Sequence, residues 1–327
     1  MELARPEPFH PALWAPGPHA QTILSHLWKT PSAPLPWSSE FLELEAGERL
    51  RLEVLPGDSD TVVVFFHGLG GHAGSSYVRR SAGLATARGH SVISANHRGA
   101  GLGMGLAHRP YHCGSTGDVA AVIAFARRRF PGKRVLAAGF SLSAAMLVLL
   151  LGRDKHLAQP DGAVIVNPPG DLEACSHRLL RGLNRLYDRR FVKLLRHHVE
   201  ARPGGTPLPP TPTLRDFDEI YTAPQAGFKD RADYYANCSC GPHLGGIDRP
   251  AVILTSEDDP FAPAADLGEP SPAVLLHQER HGGHCGYLAA NKSPRGNHRW
   301  MDYALDHYLE ALRQNAVVEP ESDRLNP

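Results

Sequence analysis

Four short apolar runs recur between Thr61 and Pro169, each separated from the next by a helix-patterned segment. They read TVVVFFHG from Thr61, HSVISAN from His90, RVLAAGF from Arg134 and GAVIVNPP from Gly162. β-Branched and apolar residues fill them without polar alternation, the pattern of strands buried on both faces. Between them, SSYVRRSAGLATARG, STGDVAAVIAFARRRF and SLSAAMLVLLL read as helices, the first closed by Gly89. Strand and helix alternating over short connections predict an α/β fold, a mostly parallel sheet built from right-handed crossovers with helices on both faces. Ahead of it, FLELEAGERLRLEVL alternates apolar and polar residues around AGE, which predicts an antiparallel hairpin.

The rhythm breaks at Pro168. Residues 170–245 are helical in pattern, then Pro-rich, then aromatic and acidic, with no strand evident. An insertion at that point forms a helical lid over the carboxyl edge of the sheet, where open α/β folds bind ligands. Strands resume with AVILTSEDDPFAP and AVLLHQERHGGHCGY, and HRWMDYALDHYLEAL closes the sheet as an amphipathic helix. The expected division is an irregular Pro-rich arm packed on the body (1–38), a first core part (39–169), the lid (170–245), a second core part (246–315) and a disordered acidic tail (316–327).

Charge excludes several partners. Among 327 residues, Lys plus Arg and Asp plus Glu stand at 34 each, so no net field draws in nucleic acid and no basic membrane arm is indicated. The N-terminus shows no apolar h-region, and five cysteines make a poor disulfide framework, which together predict a cytoplasmic address and free thiols. Val135 to Leu151 is nearly long enough for a membrane span, but Gly139, Ser141 and Ser143 interrupt it and favour a buried strand running into a buried helix.

Those two serines raise the chemical question, because an unpaired buried hydroxyl costs ~1–3 kcal/mol. Either they cap a helix, or one is a nucleophile on a strained strand-to-helix turn, the G-x-S-x-G elbow with small residues two before and two after. Gly139-Phe140-Ser141-Leu142-Ser143 meets that need with Ser143 in place of the second glycine. Ser141 is the preferred nucleophile, with Gly139 expected to take the strained backbone conformation cheaply. A serine needs a base, and the base an orienting acid, in the chain order Ser, acid, His. Asp259, just past one late strand and followed by Pro260, is the expected acid, with Asp258 as fallback; His284, after Gly282 and Gly283, is the expected base. His67-Gly68-Leu69-Gly70-Gly71 supplies a flexible loop, nominating the Leu69 and Leu142 N–H groups as the anion site. Such chemistry requires no cofactor and no metal.

The motifs PALWAPGPHAQTI, FHGLGG, NHRGAG, YHCGSTGDV, GFSLSA, DLEACS, LRDFDEIYTA with DYYANCS, DDPFAP and HGGHCGY together resemble the YheT-like branch of the α/β-hydrolase superfamily, related to eukaryotic lipid-directed members. The likeness runs from about residue 10 to 290. It implies a serine esterase with a triad at Ser141, Asp259 and His284, and a small-molecule acyl ester as substrate. Ser143 and Ala144 depart from the glycines usual in that family and bear on rate and substrate size.

Plainer readings stand beside these. His67 supports its loop rather than acting as a base, and Arg98 anchors the turn of NHRGAG. His281, His284 and Cys285 lie on a glycine loop rather than a helix face, a poor zinc site. Cys238 and Cys240 lack redox spacing and sit as small lid residues. The stripe Leu179, Leu180, Leu183, Leu186 is expected to pack inside the lid, which can also touch a membrane surface transiently. A thioesterase or amidase would use the same parts, and a noncatalytic binder on the same scaffold has no reason to keep all three roles.

Overall fold

Alternation along single strands sets the layers. In β3 (Thr61–Phe66) Val62, Val64 and Phe66 join one apolar cluster while Val63 and Phe65 join the other, so both faces of the strand are covered. The computed structural model describes residues 1–28, 34–200 and 208–315. Its single sheet has eight strands in the order β1-β2-β4-β3-β5-β6-β7-β8, where β1 is Ser38–Glu43, β2 Arg49–Leu55, β4 Ser91–Ala95, β5 Arg134–Phe140, β6 Gly162–Val166, β7 Ala251–Ser256 and β8 Val274–Glu279. The β1–β2 hairpin is antiparallel and β2 joins β4 antiparallel; every pairing from β4 to β8 is parallel.

The expected arm departs from an irregular course. It carries a helix, α1 (Gly17–Leu27), entered through Pro18 in its first turn, where a missing N–H costs nothing. Phe9 packs on Tyr287 and Trp300, and Trp14 meets Trp28 edge-on with ring centroids 5.2 Å apart. Pro spacing hid the helix because GPHAQTILSHL is crowded by Pro16 before it and carries Pro18 within its own first turn.

Helices α2 (Ser76–Ala87), α3 (Thr116–Arg129) and α4 (Leu142–Gly152) follow the predicted alternation. α4 explains the long apolar run: it is buried on all sides between the sheet, α3 and the segment Gly241–Gly246, so its residues need no polar face. No helix among the described residues is long and apolar enough to cross a membrane. Helix α5 (Leu172–Leu179), α6 (Arg185–Glu200), α7 (Leu214–Phe217), α8 (Ala223–Gln225) and α9 (Arg231–Cys238) lie between β6 and β7, with no strand among the described residues of that stretch. α10 (Trp300–Gln314) returns to α2, held by the Arg80–Asp302 and Arg88–Asp306 pairs. The expected tail, 316–327, lies outside the described residues, as does 201–207 of the Pro-rich stretch.

The leucine stripe splits. Leu179 is buried and Leu180 half-buried, but Leu183 and Leu186 are 60% and 52% exposed, because the chain turns through Gly182 (φ +50°) before α6 begins. Helical spacing counted across that turn put four residues on one face that the backbone does not share.

Candidate functional site

Strand β5 delivers Phe140 and then bends sharply, and the bend sits on the serine itself. Ser141 has φ +54° and ψ −117°, a region that a side-chain-bearing residue enters at ~1–3 kcal/mol. Gly139 therefore does not take the strained conformation expected of it; its φ is not positive. It is needed for space, since a Cβ there would lie 2.7 Å from both Ser143 O and Leu147 Cδ1 of α4. The helix can start immediately after the strand only if nothing stands between them.

Past β7 the chain places Asp259, fully buried, and past β8 it places His284. His284 Nδ1 lies 2.7 Å from Asp259 Oδ2, and His284 Nε2 lies 2.9 Å from Ser141 Oγ. Burial pushes the Asp259 carboxyl up, but the charge and hydrogen bond of His284 and the Ala262 and Phe261 amides outweigh it and leave the carboxyl below its ordinary pKa. An ionised carboxylate only accepts, so Nδ1 carries the proton and Nε2 is left to accept the serine hydroxyl. Asp258 stands apart: it accepts from Gly283 N at 2.9 Å and faces His281, fixing the turn that carries His284.

The loop after β3 lies against the serine, with the Gly68 Cβ position 3.2 Å from Ser141 Cβ. Its amides are accounted for with one exception. Gly68 N donates to Tyr77 Oη (2.9 Å), Gly70 N to Tyr111 Oη (2.8 Å) and Gly71 N to Gly68 O (3.0 Å). Leu69 N has no protein acceptor among the described residues. Leu142 N is the first amide of α4 and has no carbonyl one turn back. Both nominated donors are thus free at the mouth of a cavity that Leu69, Ser141 and Leu142 line together.

Ser143 does a different job. It is wholly buried, donates to the carbonyl of His67 and lies 2.7 Å from His97 Nε2. His97 N in turn donates to His67 Nε2 at 3.2 Å. Burial drives both imidazoles down, His97 to about 4 and His67 well below its ordinary value, so the pair is neutral. Arg98 holds its turn through a bidentate bond to Asp118 and an ion pair with Glu48.

Sequence reasoning passed over Asn167, Tyr77, Tyr111 and His97. Asn167 follows β6 with φ +47° and is completely buried; its amide donates to Asp259 Oδ2 (2.9 Å) and its oxygen accepts from Tyr287 Oη (3.1 Å) and Cys285 N (3.3 Å). A polar residue ending a strand of otherwise apolar residues was the available signal. Ser141, Asn167, Cys285 and Tyr287 all have positive φ, so backbone strain gathers around this one relay.

The cavity runs from the serine under the helical insertion. Leu179, Phe191, Leu195, Val199 and Phe217 make it apolar, while Asp218 and His112 add polar groups. Among the described residues no three His, Cys, Asp or Glu side chains converge on a metal position, and Cys113, Cys175, Cys238, Cys240 and Cys285 are free thiols.

A family model for the alpha/beta hydrolase fold matches residues 61–290. The chain belongs to the α/β-hydrolase family. It is 32% identical over 286 residues to the candidate esterase YheT of Escherichia coli, covering 83% of this chain and 84% of that one. Human phospholipase ABHD3 is 25% identical across 94% of this chain and 79% of its own, and the monoacylglycerol lipase of Saccharomyces cerevisiae is 26% identical across 80% and 62%. The likeness to YheT places this α/β-hydrolase in the YheT-like branch that its motifs resemble. Among solved structures, the Pyrococcus furiosus esterase Pf2001 shares the fold with a TM-score of 0.57 at 15% identity, covering 86% of this chain and 98% of its own.

Proposed function

We propose that this α/β-hydrolase cleaves carboxylic esters through an acyl-enzyme on Ser141. The observation that carries the reading is the continuous hydrogen-bonded path from Ser141 Oγ through His284 to Asp259. Ser141 Oγ attacks the ester carbonyl while its proton passes to His284 Nε2, and Asp259 stabilises the imidazolium. The negative oxygen of the tetrahedral intermediate receives the Leu69 and Leu142 N–H groups, each such donor being worth ~10²–10³ in turnover. Collapse expels the alcohol, which takes the proton from His284. Water, deprotonated by the same imidazole, then attacks the acyl-serine, releases the carboxylic acid and restores the hydroxyl.

The apolar cavity supports uncharged or lipid-like acyl esters of short to medium chain, in keeping with relatives named for phospholipase and monoacylglycerol lipase activity. The described helices between 170 and 245 act as the lid, since α5 and α6 supply Leu179, Phe191, Leu195 and Val199 to the cavity wall. The test is labelling by a fluorophosphonate probe: it attaches to the wild type and to Ser143→Ala, and it fails on Ser141→Ala. Undiminished labelling of Ser141→Ala removes the reading, and matched ester, thioester and amide substrates rank the scissile bond.

A further inference from the structure

Helix α6 has two faces of opposite character. Tyr187, Asp188, Val192, Leu195 and Val199 are buried along one side. On the other, Arg185, Arg189, Arg190 and Lys193 are exposed with His197, while the half-buried Arg196 donates to the carbonyls of Leu208 and Pro209 and pairs with Glu200, the one acid among them. Five cations against one acid leave an excess of four positive charges on a single helix face, within a chain whose formal charge is zero overall. Chain-wide neutrality conceals this segregation.

The basic face borders exposed apolar side chains. Leu186 precedes Arg190 by one turn, and both are exposed, as is Leu183 just before the helix. Arg190 reaches across to α1, where its guanidinium donates to His26 Nε2 at 2.9 Å. Immediately after His26 stand Leu27 (64% exposed) and Trp28, and Trp28 meets the half-exposed Trp14 beside the exposed Leu13. The Arg190–His26 contact thus joins two apolar groups, one on the helical insertion and one on the N-terminal arm, with a row of cations beside them.

We infer that this surface docks the protein on an anionic lipid bilayer, with Arg189, Arg190 and Lys193 facing the headgroups and Leu183, Leu186, Leu27 and Trp28 entering the interface. Charge complementarity selects that occupant: cationic side chains near an anionic leaflet gain from its surface potential, and aromatic and aliphatic side chains settle at headgroup level. A soluble protein partner would have to supply an acidic face and an apolar groove together, whereas a bilayer offers both everywhere. The opposite side of the same helix lines the cavity with Phe191, Leu195 and Val199, so docking sets the cavity wall against the membrane. The inference extends the esterase reading but is measured without turnover, so either can fail alone.

The experiment is co-sedimentation of the full chain with vesicles of phosphatidylcholine alone or with 30 mol% phosphatidylglycerol, at about 0.1 M and 0.5 M salt, where the Debye length falls from ~10 Å to below half that. Binding is expected to the anionic vesicles at low salt, to weaken at high salt, and to be negligible on phosphatidylcholine. Arg189→Gln with Lys193→Gln is expected to reduce partitioning about 25-fold, each charge contributing roughly fivefold, while the far-ultraviolet circular dichroism spectrum and the urea midpoint stay at the wild-type values and report an intact fold. Brominated lipid is expected to quench tryptophan emission in the wild type and less in Trp28→Phe. Equal binding to both vesicle types, unchanged binding of the double variant, or equally tight capture by polyuridylic acid in competition with the vesicles would each overturn the assignment.

Discussion

Asn167 Nδ2 donates to Asp259 Oδ2, the same oxygen that faces His284 Nδ1, so one carboxylate oxygen is shared between an amide and an imidazole. The amide fixes the carboxylate plane before the imidazole meets it. Asn167→Ala removes one donor to the Asp259 carboxylate and an acceptor of Tyr287 Oη and Cys285 N, which costs ~1–3 kcal/mol, and should lower kcat about 5- to 100-fold with little change in KM. Asn167→Asp should do worse, since two carboxylates at 2.9 Å cannot both ionise. Steady-state kinetics on a soluble ester across pH 5–9 measures both.

Ser143 separates structure from chemistry at a distance of two residues. Ser143→Ala leaves His97 Nε2 buried without its 2.7 Å partner and frees the His67 carbonyl. The expected loss is ~1–3 kcal/mol of stability, read as a lowered urea midpoint. Fluorophosphonate labelling at Ser141 should persist, at a reduced rate.

The tyrosines beneath the glycine loop hold the amides on either side of Leu69. Tyr77→Phe removes the acceptor of Gly68 N, and Tyr111→Phe that of Gly70 N. Each released amide can swing toward the cavity and loosen Leu69 N, so kcat should fall ~5- to 10-fold per variant, with the double variant approaching the ~10²-fold cost of losing one oxyanion donor. Affinity for a boronic-acid transition-state analogue should fall in parallel with kcat, while KM stays close to the wild type.

Asp218 should make the protein less stable as pH rises. Burial lifts its carboxyl to about 6, even though Tyr235 Oη donates to it at 2.8 Å. Below about pH 4, the unfolded value, both states hold the proton. Between there and about 6 the unfolded chain ionises first and stability falls; above that the cost is constant at roughly 3 kcal/mol. Asp218→Asn keeps an acceptor for Tyr235 and removes the charge, so it should exceed the wild type in urea midpoint at pH 8, and the gap should close toward pH 4.

Acyl-chain selection should reside on α6. Leu195 is buried and lines the cavity, so Leu195→Trp fills the lumen. Cleavage of a nitrophenyl octanoate should drop more than tenfold in kcat/KM relative to the acetate. Comparable losses on both esters would place the acyl group elsewhere.

Much of this was readable from residue order. Strands such as Thr61–Phe66 announce themselves by composition, because only burial on both faces tolerates six consecutive apolar or β-branched residues. Ser141, Asp259 and His284 could be named as candidates because each follows a strand with a glycine or proline within two residues, where backbone geometry narrows the choices. Asn167, Tyr77 and Tyr111 could not, since their partners are 92, 9 and 41 residues away and the one local sign, a polar residue ending the apolar run of β6, names no partner for Asn167. α1 was hidden by flanking prolines. The leucine stripe was misjudged because Gly182 resets the helical phase, and Gly139 was assigned strain where its role is space, since a Cβ there would meet α4, a contact no local pattern encodes.

The arm and the last loop are interdependent. Thr22 Oγ1 accepts from His284 N at 2.9 Å, and Gln21 bonds both to Leu288 N and to its carbonyl oxygen. α1 is thus tied to residues 262 to 267 positions further along the sequence. One hydroxyl on the arm steadies the backbone that carries the imidazole, so a lesion in α1 reaches the last loop without touching the sheet.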